Sequence, residues 1–486
     1  MTEQETLPQI KLKKERINPT SMEVSKFFST YPIPGFVLHI AQELADQGFA
    51  SWLVGGCVRD VLIGQPVHDW DMCTTALPSD VVNIFPKTLK LGIGYGTVTV
   101  QGGEPDMNVE VTTLRGDGIS SNGRHPDEVT FTTSIVEDLS RRDFTVNAMA
   151  ISLNGSFELV DPFNGINDIF GWCKLIRCVG VPADRFAEDG LRTLRAVRFI
   201  SSAGFREIEH NTLHALKACD KERLSFLSRE RVTSEFLKTL KGCDQPGDAK
   251  RVCDAFDLLR KTGLLAVVCP TLASLSDHTH QILLGKLGWL NAERADTNVI
   301  LSSLYYISQD PEFWLTVDIE AAKMGTFDAW KWDLAELRLS RADTDKVRYL
   351  VEMSNETPSL SDVVNWRGVD YRKWASKVGR DNLDNVLLVK AVAILPHGRS
   401  LDFERLKQIR EDLKFAIEGN ALTVGELKID GASIMEGLDI KKPCKAVGDC
   451  LKRLLEAVLE SPSLNTEKAL INMVTRGEPL LEDSDV

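Results

Sequence analysis

The segment Leu53–Thr74, LVGGCVRDVLIGQPVHDWDMCT, constrains this chain more tightly than any other. A short apolar run ends in Gly55-Gly56, a helical pattern opens at Cys57, Gly64-Gln65-Pro66 turns the chain, and a second run carries Asp69 and Asp71. Strand, glycine pair, helix, turn and strand in such quick succession belong to a mixed α/β layer. The missing side chains of Gly55-Gly56 let backbone approach a phosphate, and the N–H groups of the opening helix point at the anion. Arg59, one turn in, adds a forked donor. Strand side chains alternate, so Asp69 and Asp71 are expected on one face, with Trp70 and Met72 turned to the core. Two carboxylates on a rigid strand are a candidate Mg2+ site, with substrate phosphates completing the octahedron.

The same Asp-x-Asp spacing recurs at Asp343/Asp345 and Asp483/Asp485, where no strand, glycine pair and helix precede it. Those two are read as solvated charges; context singles out Asp69 and Asp71. Glu110, between Val109 and Val111 on another expected strand, is a candidate third carboxylate for activating an attacking hydroxyl, the alternative being an edge-strand surface charge. AEDGLRTLRAVRF (187–199) reads as one helix with acids in its first turn and arginines beyond, the arrangement its dipole favours. Asp189 and Arg192 are then neighbours on its surface, which leaves open a simple ion pair. Arg195 and Arg198 continue at the same spacing and wind into a spiral that can follow a phosphate chain.

Strand patterns at 52–54, 97–100, 109–113 and 129–132 are followed by helical patterns at 184–202, 208–219, 228–241, 248–263, 401–417 and 444–460. These predict a flexible leader (1–30), an α/β head (31–160), a helical neck (161–242), a helical body (243–355) and a helical tail (356–486), with breaks at GCDQPG and SNETPS. The 486 residues are 43% hydrophobic and 26% charged, which excludes wholesale disorder. No run approaches the ~18 apolar residues of a membrane span, and the expected location is cytoplasmic with no membrane partner. Ten cysteines without a CxxC pair argue against a disulfide framework or zinc site. The net charge of −13 excludes indiscriminate coating of nucleic acid, yet residues 184–241 hold twelve Lys/Arg against nine Asp/Glu, so a polyanion is expected there. The polar, Gly-rich stretch 115–129 is expected to be a mobile loop over the site. His278 and His280 are read as ordinary helix or loop residues.

After the Leu53–Thr74 segment come, in order, RRDFTVNA (141–148), DPFNG (161–165), EDGLR (188–192) and LSRER (227–231). Together these resemble the five motifs of class II tRNA nucleotidyltransferases, a family that includes the bacterial-type poly(A) polymerases and belongs to the polymerase-β type superfamily. The tail is similar more weakly, through LTVGELKIDGASIMEGLDIKK (422–442). The resemblance implies a polymerase-β-like α/β head with a mixed sheet, followed by an all-α neck, body and tail. It implies two Mg2+ ions on Asp69 and Asp71, with Glu110 beside them, and substrate held at Gly56 and Arg59. Arg142, Arg195 and Arg198 are expected on the triphosphate, and Asp189 and Arg192 on the Watson–Crick edge of the incoming base, replacing a template. Asp143 and Asn147 are expected either to orient Arg142 or the ribose or to be structural, and Arg231 and Glu235 to buttress the neck.

The implied activity is template-independent addition of C, C and A to the 3′ end of tRNA from CTP and ATP, releasing pyrophosphate, with the tRNA elbow on the tail. An A-adding or poly(A)-adding enzyme shares every residue named, and a non-catalytic RNA-binding module is the alternative of another class. A loop of full length, holding Arg115-Gly116-Asp117-Gly118 and Arg124-His125-Pro126, favours completion with A, although Ser120 and Asn122 stand where an aromatic and an acid are usual. No oligomeric state follows from the sequence.

Overall fold

Seven short strands form one sheet: β1 (Ser51–Val54), β2 (Asp71–Thr74), β3 (Thr88–Leu89), β4 (Thr97–Gly102), β5 (Met107–Thr113), β6 (Ala150–Ser152) and β7 (Leu159–Val160). Their order is β3-β4-β5-β2-β1-β6-β7; β2 and β5 run parallel and the other pairs antiparallel. This computed structural model describes residues 19–90, 92–102, 107–116, 130–242, 249–308, 329–394 and 400–476. The expected loop over the site lies outside the described residues at 117–129, as do most of the GCDQPG break and the Asp483/Asp485 pair.

Alternation explains the sheet. Val98, Val100, Val109 and Val111 are almost fully buried, while Thr97, Thr99, Asn108 and Glu110 between them keep contact with solvent, as a sheet covered on one face requires. The Pro78–Ile84 helix packs on β4 and β5. The expected strand at 129–132 is not formed: Phe131 makes only an isolated bridge with Arg115. The leader also needs correction, since Ser21–Phe28 is a helix with a capping box between Thr20 and Glu23. Its residues Val24 and Phe28 are buried, and Leu159 of β7 donates its backbone N–H to the Ser25 hydroxyl. Apolar residues at 24, 27, 28 and 31 supply the helical stripe.

Asp161–Gly165 then turns the chain into helices. The pattern at 184–202 makes two, Pro182–Glu188 and Leu191–Ser202. Asp189 between them is extended, with φ −146° and ψ 106°, because Gly190 follows and the Asp189 carboxylate accepts from the Leu191 N–H, the short-range bond that aspartate offers in place of helix. Leu191–Ser202 packs against Arg229–Lys241 and Ala249–Lys261. The chain separates into two units after Ala273, so the helix expected to open the body stands with the neck. Among the described residues no strand follows Ile208, and no helix is long and apolar enough to cross a membrane. In the second unit one apolar cluster runs from Val299 to Leu459, across the expected boundary at 355/356, and a second joins Gly431–Gly437, Lys445–Glu460 and Glu467–Arg476.

Phe256 and Leu454 are both fully buried, one in each unit. Truncation to alanine at either site is expected to cost about 2–5 kcal/mol in chemical denaturation. Phe256→Ala should also speed amide hydrogen exchange in Leu191–Ser202, which its helix backs, whereas Leu454→Ala should leave exchange there unchanged.

Candidate active site

The Gly55-Gly56 turn is built for close approach. Gly55 has φ +74°, and a Cβ there would lie 2.8 Å from an Arg142 guanidinium nitrogen. Of the two glycines, Gly55 carries the steric demand, since a Cβ on Gly56 would meet only ordinary contact at 3.6 Å. The helix Gly56–Ile63 opens beside it. Arg59 places two nitrogens on the Asp60 carboxylate at 2.8 and 2.9 Å and the third on Asn147 Oδ1 at 2.6 Å. Its guanidinium also lies 5.0 Å from the centre of the Phe199 ring.

Asp71 is the first residue of β2, and Asp69 is exposed two residues before it, outside the strand; Trp70 and Met72 are buried, as alternation requires. Asp71 is registered with Glu110 on β5, so these two project from one face. Burial first, then the neighbouring charge of Glu110, pushes the Asp71 carboxyl up to about 6; Arg142 opposes the shift and Asp69 adds to it. Crowded carboxylates that resist losing a second proton fit a divalent cation. Among the described residues no group of three His, Cys, Asp or Glu side chains is arranged to hold a metal ion. The contrast with Asp343/Asp345 is geometric. That pair sits in the helix Arg341–Glu356, where two residues turn through about 200° and cannot share a face.

Asp71 lines a cleft of about 440 Å³ whose other walls carry Arg59, Arg141, Arg142, Arg192, Arg195, Arg198 and Arg231. Seven guanidiniums face three acids there, Asp71, Asp143 and Asp189. Buried carboxylates stand behind the arginines. Asp143 takes Arg195 at 2.6 Å and accepts from Asn147 Nδ2 at 3.0 Å. Burial alone would raise its pKa, but Arg195 and these hydrogen bonds hold it at about 2. Glu235 lies 2.6 Å from Arg198 and 3.9 Å from Arg195, which gives it the buttressing role expected. Arg231 instead reaches Asp189, at 3.4 Å, and lines the cleft. The Asp189–Arg192 surface pair does not form; Arg192 bonds Glu188 at 2.7 Å and the carbonyls of Arg185 and Arg141.

Gly56, Arg59, Asp71, Arg142, Asp189, Arg192, Arg195 and Arg198 thus share one cleft, while Asp69 and Glu110 lie outside its lining. Sequence reasoning missed Asp138, a fully buried carboxylate that clamps Arg141 at 2.6 Å and Arg142 at 3.0 Å and accepts from the Arg115 N–H. Its spacing of three and four residues from those arginines was the available signal. Asp60 and Phe199 were also missed.

A raised carboxyl pKa means that Asp71 favours folding below its unfolded value near 3.8 and loses that contribution as pH rises through about 6. In the presence of EDTA, Asp71→Asn should therefore melt at a higher temperature than the parent at pH 8, with the gain shrinking toward zero as pH falls to 4. A destabilised variant at pH 8 would contradict this electrostatic reading.

Comparison with known proteins places these features. The family profile described as the Poly A polymerase head domain matches residues 51–172, and one described as a probable RNA and SrmB-binding site of polymerase A matches 206–275. The chain is 34% identical over 433 residues to a CCA-adding enzyme of Lactobacillus delbrueckii subsp. bulgaricus, covering 89% of this chain and 95% of the relative. It is 44% identical over 208 residues, 43% of this chain and 49% of the relative, to the CCA-adding enzyme of Enterococcus faecalis. The crystal structure of the Bacillus stearothermophilus CCA-adding enzyme in complex with CTP aligns with a TM-score of 0.67 at 28% identity, over 91% of this chain and 97% of that one. The Thermotoga maritima CCA-adding enzyme complexed with tRNA shares the fold, with a TM-score of 0.58 at 19% identity over 94% and 98% of the two chains. Matched at this identity along nearly the whole of a relative, the chain belongs to the CCA-adding enzymes, tRNA nucleotidyltransferases whose head is of the poly(A) polymerase type.

Proposed function

We propose that the protein adds C, C and A to the 3′ end of tRNA from CTP and ATP, releasing pyrophosphate. The observation that carries this reading is one cleft lined together by Asp71, Asp189, Arg192 and six further arginines. A relative that aligns over 91% of the chain has been solved with CTP, and a CCA-adding enzyme of the same fold, aligning over 94%, with tRNA.

Arg142, Arg195 and Arg198 are proposed to bind the triphosphate, each held in place by a carboxylate, so their geometry exists before substrate arrives. The Gly56–Ile63 helix opens at the same cleft and adds backbone donors. Asp69 and Asp71 would hold two Mg2+ ions, with Glu110 beside them; when bound, the ions would neutralise phosphate charge and lower the pKa of the RNA 3′-hydroxyl. The hydroxyl oxygen attacks the α-phosphorus in line as the bond to pyrophosphate breaks, and positioning supplies most of the acceleration. Asp189 accepts from the exocyclic amino group that C and A share, and Arg192 donates to the ring nitrogen or carbonyl beside it; G and U do not present that pattern. Glu188 and the Arg185 and Arg141 carbonyls hold Arg192 in one orientation. The tail is proposed to take the tRNA elbow, reading backbone and helix shape, so tRNA affinity should fall with salt despite the acidic chain.

The test uses tRNA transcripts ending before CCA, after C and after CC, with Mg2+ and CTP, ATP or both, resolved at single-nucleotide length. Two additions with CTP alone and three with both, followed by a stop, are expected. Arg192→Ala should lose about 1–3 kcal/mol of discrimination for CTP over UTP, and Asp71→Ala should abolish extension. Addition of A only to the CC end would reveal an A-adding enzyme, long A ladders a poly(A) polymerase, and no extension a non-catalytic RNA-binding module.

A further inference from the structure

The β4–β5 hairpin has two faces of opposite chemistry. Its valines are buried. The other face presents Thr97, Thr99 and Gln101 on β4 and Asn108, Glu110 and Thr112 on β5, all half-buried or exposed. Register pairs Thr97 with Thr112, Thr99 with Glu110 and Gln101 with Asn108. The outer two pairs are closed by side-chain hydrogen bonds: the two threonine hydroxyls at 2.9 Å, and Gln101 Nε2 donating to Asn108 Oδ1 at 3.1 Å. Glu110 is the one charge among these six residues, in a chain where 26% of residues are charged.

The ladder lies against the carboxylates. Glu110 stands in its middle pair, and Asp71 is registered with Glu110 from the neighbouring strand. Asp71 also lines the arginine cleft, to which β4 and β5 contribute no residue. The carboxylates therefore separate two surfaces, a cationic cleft on the β1 side and an uncharged polar ladder on the β5 side. A sheet face kept only for solubility carries lysine and glutamate. Here hydroxyl and amide groups run along about 13 Å of strand, and none of the six residues carries a positive charge. Neutral groups that both donate and accept match the ribose 2′-hydroxyl, the group by which a protein tells RNA from DNA. In-line displacement places the attacking oxygen opposite the leaving pyrophosphate. With the triphosphate in the cleft, the attacking strand approaches from the ladder side.

We infer, on the basis of the nucleotidyltransferase reading above, that the Thr97–Thr112 and Gln101–Asn108 pairs seat the last nucleotides of the acceptor strand and read their 2′-hydroxyls. This face makes the reaction specific for an RNA 3′ end.

The experiment uses the full chain, ATP and acceptor hairpins ending in CC, with ribose or 2′-deoxyribose at the last two nucleotides. The parent should prefer the ribose ends by about tenfold or more in kcat/KM, since each hydrogen bond lost is worth a few-fold. Thr97→Val with Thr112→Val, and Gln101→Val with Asn108→Val, retain strand-forming side chains. At least one of these double variants should lose most of the preference through the KM for the hairpin, with the KM for ATP unmoved, and Asn108→Thr should retain more of it than Asn108→Val. Preference kept in both double variants, or a parent that extends ribose and deoxyribose ends equally, overturns the inference and leaves the enzymatic reading standing. A parent that extends neither hairpin nor any tRNA overturns both.

Discussion

The ion pair between Asp143 and Arg195 is the contact on which the site depends. Guanidiniums crowded into one cleft repel one another, and Arg195 and Arg198 are both half-buried. A lone carboxylate as buried as Asp143 would be equally unfavourable. Together they are stable, and the Asp143 carboxyl held at about 2 records the strength of the coupling. The pair is one link in a chain from Asp60 through Arg59, Asn147, Asp143 and Arg195 to Glu235 and Arg198. Removing one member of such a buried pair costs about 3–5 kcal/mol, because a charge is left without its partner. An acidic protein can thus present a basic cleft, the negative charges being placed behind the positive ones.

The fold supplies what this network needs. Phe199 is buried yet lines the cleft, with Arg59, Arg195 and Arg198 within 5.6 Å of its ring centre, and cations over an aromatic face gain further attraction. Phe144 meets it edge-on at 5.6 Å and belongs to the RRDFTVNA segment that carries Arg142 and Asp143. The break at Asp189–Gly190 turns the Asp189 carboxylate into the cleft instead of along a continuous helix. Asp138 ties Arg142 to the backbone of Arg115, connecting the sheet to the arginines.

Much of this was legible in the sequence, and the misses have physical reasons. Glycine pairs and strand alternation act over a few residues, so the Leu53–Thr74 unit, the burial of Trp70 and Met72 and the valines of β4 and β5 could be read directly. The five motifs carried the identity of the cleft residues. The helix at 187–199 was read as continuous because its charge pattern suits a helix; the side-chain cap of Asp189 on Leu191 overrides that pattern. Glu110 was expected beside Asp69 and Asp71, but its registry with Asp71 is a pairing between strands that no local pattern encodes. Asp138 went unread for a similar reason: a charged residue in DLSRR looks like a solvated helix face, and only the folded core shows it fully buried.

The central claim, that buried carboxylates create the anion site by holding its arginines, is tested most directly by calorimetric CTP binding to Asp143→Asn with EDTA present. This substitution removes a negative charge from the cleft. If net charge governed binding, CTP affinity would rise. The reverse is expected: Arg195 loses its anchor, and affinity falls by roughly tenfold or more, the scale of losing a charge-assisted hydrogen bond. Unchanged or tighter CTP binding in a folded variant would contradict it.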